Sequence, residues 1–200
     1  MADLRGRPTE LRPLIRVALA AAVLVTLAHA RPVAAQSDPL AVAAAEIGVT
    51  RLAGQWVPAA GGALSVRLAP WIDVGGAARV ALADPSVTRD GSRVRIHFGY
   101  AGLRVSTRPA PERARGVRLD LLVAAGNVDL EDAGAGTAID SDNGALLEPS
   151  LSVTRAVAGP LSMSAAAAWR FVAGFDLLGD VDTRDLRGPT FSVGLAIGPL

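Results

Sequence analysis

The chain has 200 residues, a formal net charge of +1, no cysteine and 21 glycines, and half of its residues are hydrophobic. This length fits a single domain that buries its own core. Because cysteine is absent, the chain has no disulfide, no thiolate nucleophile and no Cys-ligated metal. The near-neutral charge gives no basic footprint for a nucleic acid. We therefore expect neither a nucleic-acid partner nor a cofactor.

The N-terminus has the layout of a secretory signal peptide. Four arginines lie within residues 1–16, and an uncharged apolar run follows over 17–28. This run is shorter than the roughly 20 residues that a membrane-spanning helix needs. Small residues offer two cleavage points, after Ala30 or after Ala35, and we favour the second because it leaves a polar start at Gln36. An uncleaved anchor helix is the alternative.

The rest of the chain alternates large apolar residues with other residues at a period of two, which is typical of β-strands. In one clear case, Leu64, Val66 and Leu68 alternate with Ser65 and Arg67. Eight segments are predicted as strands: 46–57, 61–69, 71–82, 93–107, 116–129, 145–157, 160–173 and 189–198.

The connections between these segments differ in length. Long polar connections are predicted at 83–92, 131–144 and 174–188, each after an odd-numbered strand, and a tight one at 58–62. Brief turns follow most even-numbered strands. This asymmetry is expected of a transmembrane barrel with both termini in the periplasm, because its extracellular loops are long and its periplasmic turns short.

Two segments have an irregular phase. In the first strand, Ile47 and Val49 lie on one parity, whereas Leu52 and Trp56 lie on the other. In the fourth strand, the apolar residues change parity after residue 100, and we predict a β-bulge at Gly102 to accommodate the change.

The face opposite the large apolar residues distinguishes a soluble barrel from a membrane barrel. That face is mostly Gly, Ala and Ser with single charged residues, and the chain contains no lysine. A soluble β-protein carries many solvated side chains there, whereas small residues fit the crowded lumen of an eight-stranded barrel. We predict an all-β fold, an eight-stranded antiparallel up-and-down transmembrane barrel with its apolar face toward lipid. The predicted division is a cleaved signal peptide at 1–35, an N-terminal periplasmic segment at 36–45 and an outer-membrane barrel at 46–200.

Two sets of residues have predicted positions in this barrel. Charges removed from bulk water must be paired, so the inward charges should form a polar network in the lumen. Its predicted members are Arg67, Asp73, Arg79, Arg95, His97, Arg118, Asp120, Glu148 and Arg170. Aromatic residues near strand ends should form interfacial girdles: Trp56, Trp71, Tyr100, Trp169, Phe171 and Phe191.

The C-terminal stretch from Leu147 to Leu200 resembles the last three strands of small bacterial outer-membrane β-barrel proteins of the eight-stranded kind. It has a Leu-Glu-Pro strand start, a short Gly-Pro turn at 159–160, an aromatic-Arg-aromatic strand end and a closing amphipathic strand. The resemblance covers about a quarter of the chain. It implies insertion by the outer-membrane assembly machinery, which in that class reads the last strand. This chain departs from the class by ending in Gly-Pro-Leu and not in an aromatic residue.

Two motifs are candidate sites of catalysis or metal binding. His97 is the one histidine after the predicted signal peptide, and its parity places it in the lumen with no serine at the spacing of a catalytic pair. The segment 140–144 begins like a calcium loop but lacks the later ligands, and its Asn143-Gly144 pair is typical of a turn. We expect neither catalysis nor metal binding.

The predicted function is therefore structural, or an interaction through the three long connections, in the cell outer membrane. A narrow lumen filled by side chains does not support bulk transport. The expected partners are outer-membrane lipid, the assembly machinery and an unidentified partner of the long connections. The alternatives are an outer-membrane enzyme or small-ligand binder that acts on lipid, and a soluble, secreted, lipocalin-like barrel with an apolar pocket.

Overall fold

The computed structural model describes residues 41–89, 92–109, 116–175 and 181–198. The predicted signal peptide and its cleavage points lie outside these residues. Within the described ranges, no helix is both long and apolar enough to cross a membrane.

The described part of the chain forms nine β-strands and one short helix. The strands are β1 (Ala41–Leu52), β2 (Gln55–Ala69), β3 (Ile72–Ala81), β4 (Ser86–Arg89), β5 (Ser92–Thr107), β6 (Val117–Asp132), β7 (Ala138–Ala158), β8 (Leu161–Ala173) and β9 (Gly188–Ile197). The helix α1 (Thr183–Leu186) lies in the connection between β8 and β9. Because β1 begins at Ala41, residues 41–45 belong to the sheet and not to the N-terminal segment that was predicted to end at residue 45.

The strands form a closed antiparallel ring. Strands that follow one another in the chain pair with each other, except that β3 pairs with β5 and not with β4, and β9 pairs with β1. The short strand β4 continues the position of β3 beyond a break at 82–85 and pairs with the first residues of β5. The ring therefore has eight positions, and the predicted eight-stranded antiparallel barrel is confirmed.

The stagger of the strands follows from their register. If paired residues are followed once around the ring from Leu161 of β8, the circuit returns to β8 at Phe171, ten residues further along. The residues passed on the way are Ile197, Ala43, Leu64, Gly76, Leu103, Val123 and Leu147. Such a stagger tilts the strands by roughly 35–45° to the barrel axis and leaves eight strands an interior that side chains can fill.

The first hairpin differs from the prediction. The turn lies at Ala53–Gly54, where φ is 48° and 76°, the left-handed pair that a tight two-residue hairpin requires. Pro58 and Gly62, predicted to form the turn, lie within β2 and pair with residues of β1. The irregular phase of the predicted strand 46–57 is explained, because that segment contains the end of one strand, a turn and the start of the next.

Two of the predicted long connections contain strands. The segment 131–144 consists of the end of β6, a five-residue connection at 133–137 and the start of β7, and 83–92 contains β4. Asn143-Gly144 lies inside β7, where it pairs with residues 126 and 127 and forms no turn. Of the predicted connection 174–188, residues 174–175 and 181–187 lie outside the strands and include α1, whereas Gly188 begins β9.

The projecting sheet is the part of the barrel wall made by β4 and by residues 92–98 of β5, 126–132 of β6 and 138–144 of β7. Below it the ring is complete, since β7 pairs with β8 from Ala145 onward and β5 pairs with β3 from Gly99 onward. We call this end of the barrel the long-loop end. The opposite short-turn end carries Ala41, Gly198 and the two-residue turns at 70–71 and 159–160.

No bulge exists at Gly102. The register of β5 runs without a shift against both β3 and β6. Leu103 is 56% exposed, whereas Ile96, Phe98 and Tyr100 on the opposite parity are between 0% and 6% exposed. The side chains therefore keep their direction along β5, and what changes is polarity: the inward face is polar near the short-turn end and apolar in the projecting sheet.

The apolar inward residues form a cluster across the long-loop end, which we call the apolar plug. Its members are Leu52, Val57, Ala81, Ile96, Phe98, Tyr100, Leu122, Ala124, Val128, Leu130, Leu146, Val172, Phe175, Val181 and Leu186. Every strand position of the barrel except that of β9 contributes residues to the plug. Phe175, Val181 and Leu186 belong to the connection between β8 and β9. Each large side chain in the plug contributes roughly 1.5–3 kcal/mol by burial.

The outer face of the closed ring is apolar. Large hydrophobic side chains that point outward remain between 39% and 66% exposed, including Ile47, Leu64, Leu103, Leu119, Leu151 and Val193. A continuous belt of this kind is the lipid-facing surface of a transmembrane barrel. The alternative of a soluble barrel with an apolar pocket is therefore wrong.

We expect Gly144→Ala to destabilise the barrel. A methyl group at Gly144 would lie 2.2 Å from Cδ2 of Phe175, so the ring would have to leave its place in the apolar plug. Overpacking of this kind costs about 1–3 kcal/mol, measurable as a lower urea midpoint of the folded barrel in lipid vesicles. The control is Gly134→Ala in the connection at 133–137, where the nearest atom is the flexible Asp132 carboxylate at 3.3 Å. Equal midpoints for both variants would contradict the packing of Phe175.

Candidate functional site

The polar side chains that point inward form the candidate functional site. Of the nine residues predicted for the lumen network, seven lie on the inward face: Arg67, Asp73, Arg79, Arg118, Asp120, Glu148 and Arg170. Arg95 and His97 point outward. The inward residues form three groups along the barrel axis.

The central group is built on Arg79. Its Nη1 lies 2.5 Å from Oε1 of Glu148, and its Nη2 donates to Oε1 of Glu46. Tyr100 donates to the other oxygen of Glu148 at 2.5 Å, and Ser192 donates to the other oxygen of Glu46 at 2.9 Å. One guanidinium therefore bridges two carboxylates from opposite walls, β1 and β7, as buried charges require.

Arg170 closes the lumen above this group. It is fully buried and donates to Oγ1 of Thr50 and to the carbonyl oxygens of Arg51 and Leu186, at 2.6–2.9 Å. Its guanidinium also lies over the ring of Phe98, with Cζ 4.8 Å from the ring centre. Carbonyl oxygens and an aromatic face stabilise a buried cation in place of a carboxylate. The same side chain joins β8 to β1 and to the connection that carries α1.

The third group lies near the short-turn end and is rich in arginine. Asp73 lies 3.3 Å from Nε of Arg67, 3.2 Å from Nη2 of Arg108 and 3.6 Å from Nη1 of Arg118. Further inside, Nη2 of Arg104 lies 3.0 Å from Asp120, whose other oxygen accepts a hydrogen bond from Ser152. Four guanidinium groups thus share two carboxylates.

A cavity, which we call the basin, opens beside this group. Its volume is about 50 Å³ and it is partly open to solvent, and Arg104 and Arg118 line it together with Glu46 and small residues. Its hydroxyl groups belong to Ser65, Ser106, Ser152, Thr154, Ser162 and Ser164. The small inward residues recognised in the sequence therefore do not all fill the lumen, because part of the space they leave is this cavity.

Several members of the network were missed in the sequence. Glu46 was placed at the start of a strand without a clear phase, so its inward direction could not be read. Arg104 alternates with the apolar Leu103 and Val105, so the parity of the strand after residue 102 could have identified it as inward. Tyr100 was predicted for an aromatic girdle, which is wrong: it is 6% exposed and belongs to the lumen. The other five predicted girdle residues are 48–55% exposed on the outer face.

Arg95 and His97 point outward from the projecting sheet, which corrects their predicted place in the lumen. Nδ1 of His97 lies 2.7 Å from Asp84, and Nε2 lies 3.0 Å from Glu131. Arg95 lies 3.6 Å from the same Glu131. These contacts connect β5, β6 and the break between β3 and β4 on a surface that faces water.

Carboxylates also order the connections at the long-loop end. Asp132 accepts hydrogen bonds from the backbone N–H groups of Ala135 and Gly134, which hold its pKa below the usual value. Asp182 caps α1, and hydrogen bonds from the Thr183 hydroxyl and the Arg184 N–H lower its pKa likewise. Among the described side chains, no group of three or more His, Asp or Glu residues is arranged to hold a metal ion.

Comparisons with known proteins agree on the fold. No protein-family model matches the chain, and no curated protein matches it. Among solved structures, Neisserial surface protein A superposes with a TM-score of 0.53 at 12% identity, over 80% of this chain and 96% of that one. Ail of Yersinia pestis (TM-score 0.47, 11% identity, 82% and 99% covered) and CarO of Acinetobacter baumannii (0.47, 14%, 80% and 98%) are also similar, and no argument rests on these two.

The closed eight-stranded ring, the exposed apolar belt and the polar lumen define a class. The protein is a small bacterial outer-membrane β-barrel. In such barrels the short turns are periplasmic and the longer connections extracellular, so the short-turn end faces the periplasm and the projecting sheet lies outside the cell.

We expect Arg79→Gln to destabilise the barrel strongly, because it leaves Glu46 and Glu148 without their shared cation. Removing one partner of a buried ion pair costs about 3–5 kcal/mol, measured as a lower urea midpoint in vesicles. Adding Glu148→Gln should restore part of the loss, since it removes one of the two stranded charges. Arg155→Gln, at an exposed arginine of β7, is the control and should leave the midpoint unchanged. A double variant no more stable than Arg79→Gln alone would contradict the bridging role.

Proposed function

We propose that this protein is a non-conducting membrane anchor that displays the projecting sheet to partners at the cell surface. The observation that carries the proposal is the apolar plug. Four of its aliphatic side chains, Leu52, Ile96, Leu130 and Leu186, are between 0% and 1% exposed. A dry cluster across the extracellular third of the barrel gives water and ions no path.

The layer below the plug supports the same conclusion. Arg79 spans the lumen between Glu46 and Glu148, and Arg170 is bonded to β1 and to the connection above it. Conducting barrels have more strands and a lumen wide enough for water. In this barrel, two successive layers of side chains obstruct the space between the basin and the exterior.

The outer surface of the projecting sheet is suited to recognition because it is polar and rigid. Asn127 donates to Asn143 across β6 and β7, Ser141 donates to Asp129, and His97 contacts two carboxylates. Such cross-strand contacts fix the side chains in place. The inner surface of the same sheet packs on the apolar plug, so the sheet is supported from behind.

The exposed edge of the projecting sheet is protected against unspecific pairing. Residues 138–144 of β7 extend past the last pair with β8. There the N–H groups of Ser141 and Asn143 donate to Asp140 and Asp142, at 2.8 and 2.7 Å. Acidic side chains that occupy the amide groups of an edge strand discourage another strand from adding to it. We therefore infer that partners bind the face of this sheet and not its edge.

The remaining partners follow from the belt and from the last strand. The outward apolar side chains would contact outer-membrane lipid. The closing strand β9, with Phe191, Val193, Leu195 and Ile197 outward, would be the segment that the assembly machinery engages, as the resemblance of the C-terminal stretch implies.

We expect the purified barrel to be silent in planar lipid bilayers. Since the apolar plug and the Arg79 layer both close the lumen, single-channel recordings in potassium chloride should show no discrete steps. Vesicles that contain the barrel should likewise not swell in small sugars. A wide porin in the same lipid is the positive control, and stepwise conductance of the barrel itself would overturn the non-conducting role.

The alternative of a lipid-acting enzyme now rests on His97, which lies on the outer surface near the extracellular side. A general base needs a ring nitrogen that is free to accept a proton. Both ring nitrogens of His97 face carboxylate oxygens, Nδ1 toward Asp84 and Nε2 toward Glu131. This arrangement fits a histidine that donates through both nitrogens and joins two segments of the sheet. We propose that the protein is not an enzyme.

Lipid A analysis tests this second point. We expect lipid A from cells that express the wild-type barrel, its His97→Ala variant or neither to give the same mass spectrum. The His97→Ala barrel should still fold, which its heat-dependent shift in electrophoresis would verify. A modified lipid A species that requires the wild-type protein and disappears in His97→Ala would establish an enzyme.

A further inference from the structure

We propose that the basin at the periplasmic end binds a small tetrahedral oxyanion, phosphate or sulfate, between Arg104, Arg118 and the hydroxyl groups of the lumen wall. The first argument is charge balance. Among the described residues, Asp73 is the only carboxylate that forms an ion pair with Arg108 or Arg118, so these two guanidinium groups share a single negative charge. Charges taken out of bulk water require compensation.

The other carboxylates near the basin are already engaged. Asp120 contacts Arg104 and accepts from Ser152. Glu46 lines the inner side of the basin, but both of its oxygens accept hydrogen bonds, from Arg79 and from Ser192. An anion that enters the basin from the periplasm would supply the second negative charge for Arg108 and Arg118.

The second argument is the chemistry of the cavity wall. Six Ser and Thr hydroxyls line the basin, and each can donate a hydrogen bond. Guanidinium groups bind the oxygens of phosphate in pairs, with planar fork geometry. A tetrahedral oxyanion has enough acceptors to engage two arginines and several hydroxyls together, whereas chloride offers a single centre.

Arg118 is the arginine that is best placed to bind the anion. It is the most weakly attached of the three, with 3.6 Å to Asp73 against 3.2–3.3 Å for Arg108 and Arg67. Its side chain is 12% exposed and lines the basin with Arg104. Arg67 and Arg108 hold Asp73 without it, so its replacement should leave the fold intact.

The test is calorimetric titration of the folded barrel with sodium phosphate, in a maltoside detergent that carries no phosphate and at constant ionic strength in chloride. We expect saturable binding to the wild type and at least about tenfold weaker binding to Arg118→Gln, the effect of losing hydrogen bonds to one charged group. Arg155→Gln, an exposed arginine outside the lumen, is the matched control and should bind like the wild type.

A second variant changes affinity in the opposite direction. Asp73→Asn raises the surplus positive charge of the group, so phosphate should bind more tightly than to the wild type. Glycerol phosphate, the polar end of a phospholipid, distinguishes the source: binding at least as tight as that of inorganic phosphate indicates a lipid head group, and weaker binding indicates the free ion. Absence of phosphate binding, or binding that Arg118→Gln and Asp73→Asn leave unchanged, would overturn the proposal.

Discussion

The pairing of β1 with β9 closes the ring of strands, and the other features of the molecule follow from this closure. In a hydrocarbon layer no water can satisfy a backbone N–H or C=O group, so a sheet crosses a membrane only when it has no open edge. Eight residue pairs from Ala43–Ile197 to Thr50–Thr190 provide that closure. Eight strands with this stagger leave a narrow interior, which small residues and paired charges occupy toward the short-turn end and the apolar plug fills at the long-loop end.

Where the barrel leaves the membrane, the solvent on its outer face changes from lipid to water, and the polarity of both faces changes with it. In β6 the inward residues are Arg118 and Asp120 near the periplasm and Val128 and Leu130 in the projecting sheet. The outward residues change in the opposite sense, from Leu119 to Asp129. The molecule thus combines a membrane barrel, polar inside, with a water-exposed sheet that has an apolar core.

The lumen is held together by arginine. The chain has no lysine, and the planar guanidinium group can contact several oxygens at once. Arg79 contacts two carboxylates, and Arg170 contacts three neutral oxygens and an aromatic ring. Near the periplasm the same residue type is in excess over its carboxylates, and the wall there is lined with hydroxyls. Closure toward the exterior and a cationic cavity toward the periplasm are therefore two properties of one lumen.

The sequence by itself determined the class of the fold and the outward direction of the apolar belt, because a period of two along eight segments is a local property of each strand. It also identified seven inward charged residues, from Arg67 to Arg170, since parity places a residue without knowledge of its neighbours. The sequence did not reveal the position of the first turn, because an alternating pattern continues on both sides of Ala53 and Gly54 and does not show that the chain reverses there.

The tertiary structure alone decided the places of Tyr100 and His97. Both lie in a strand whose alternation is clear, but the direction of an apolar face depends on what surrounds it, and β5 passes from lipid into water along its length. The register and stagger of the strands also determine which arginine contacts which carboxylate. The contact between Arg79 of β3 and Glu148 of β7 is an example. Parity is a local property of the chain, whereas the closed barrel determines whether a side chain faces lipid, water or the lumen and which residues it contacts.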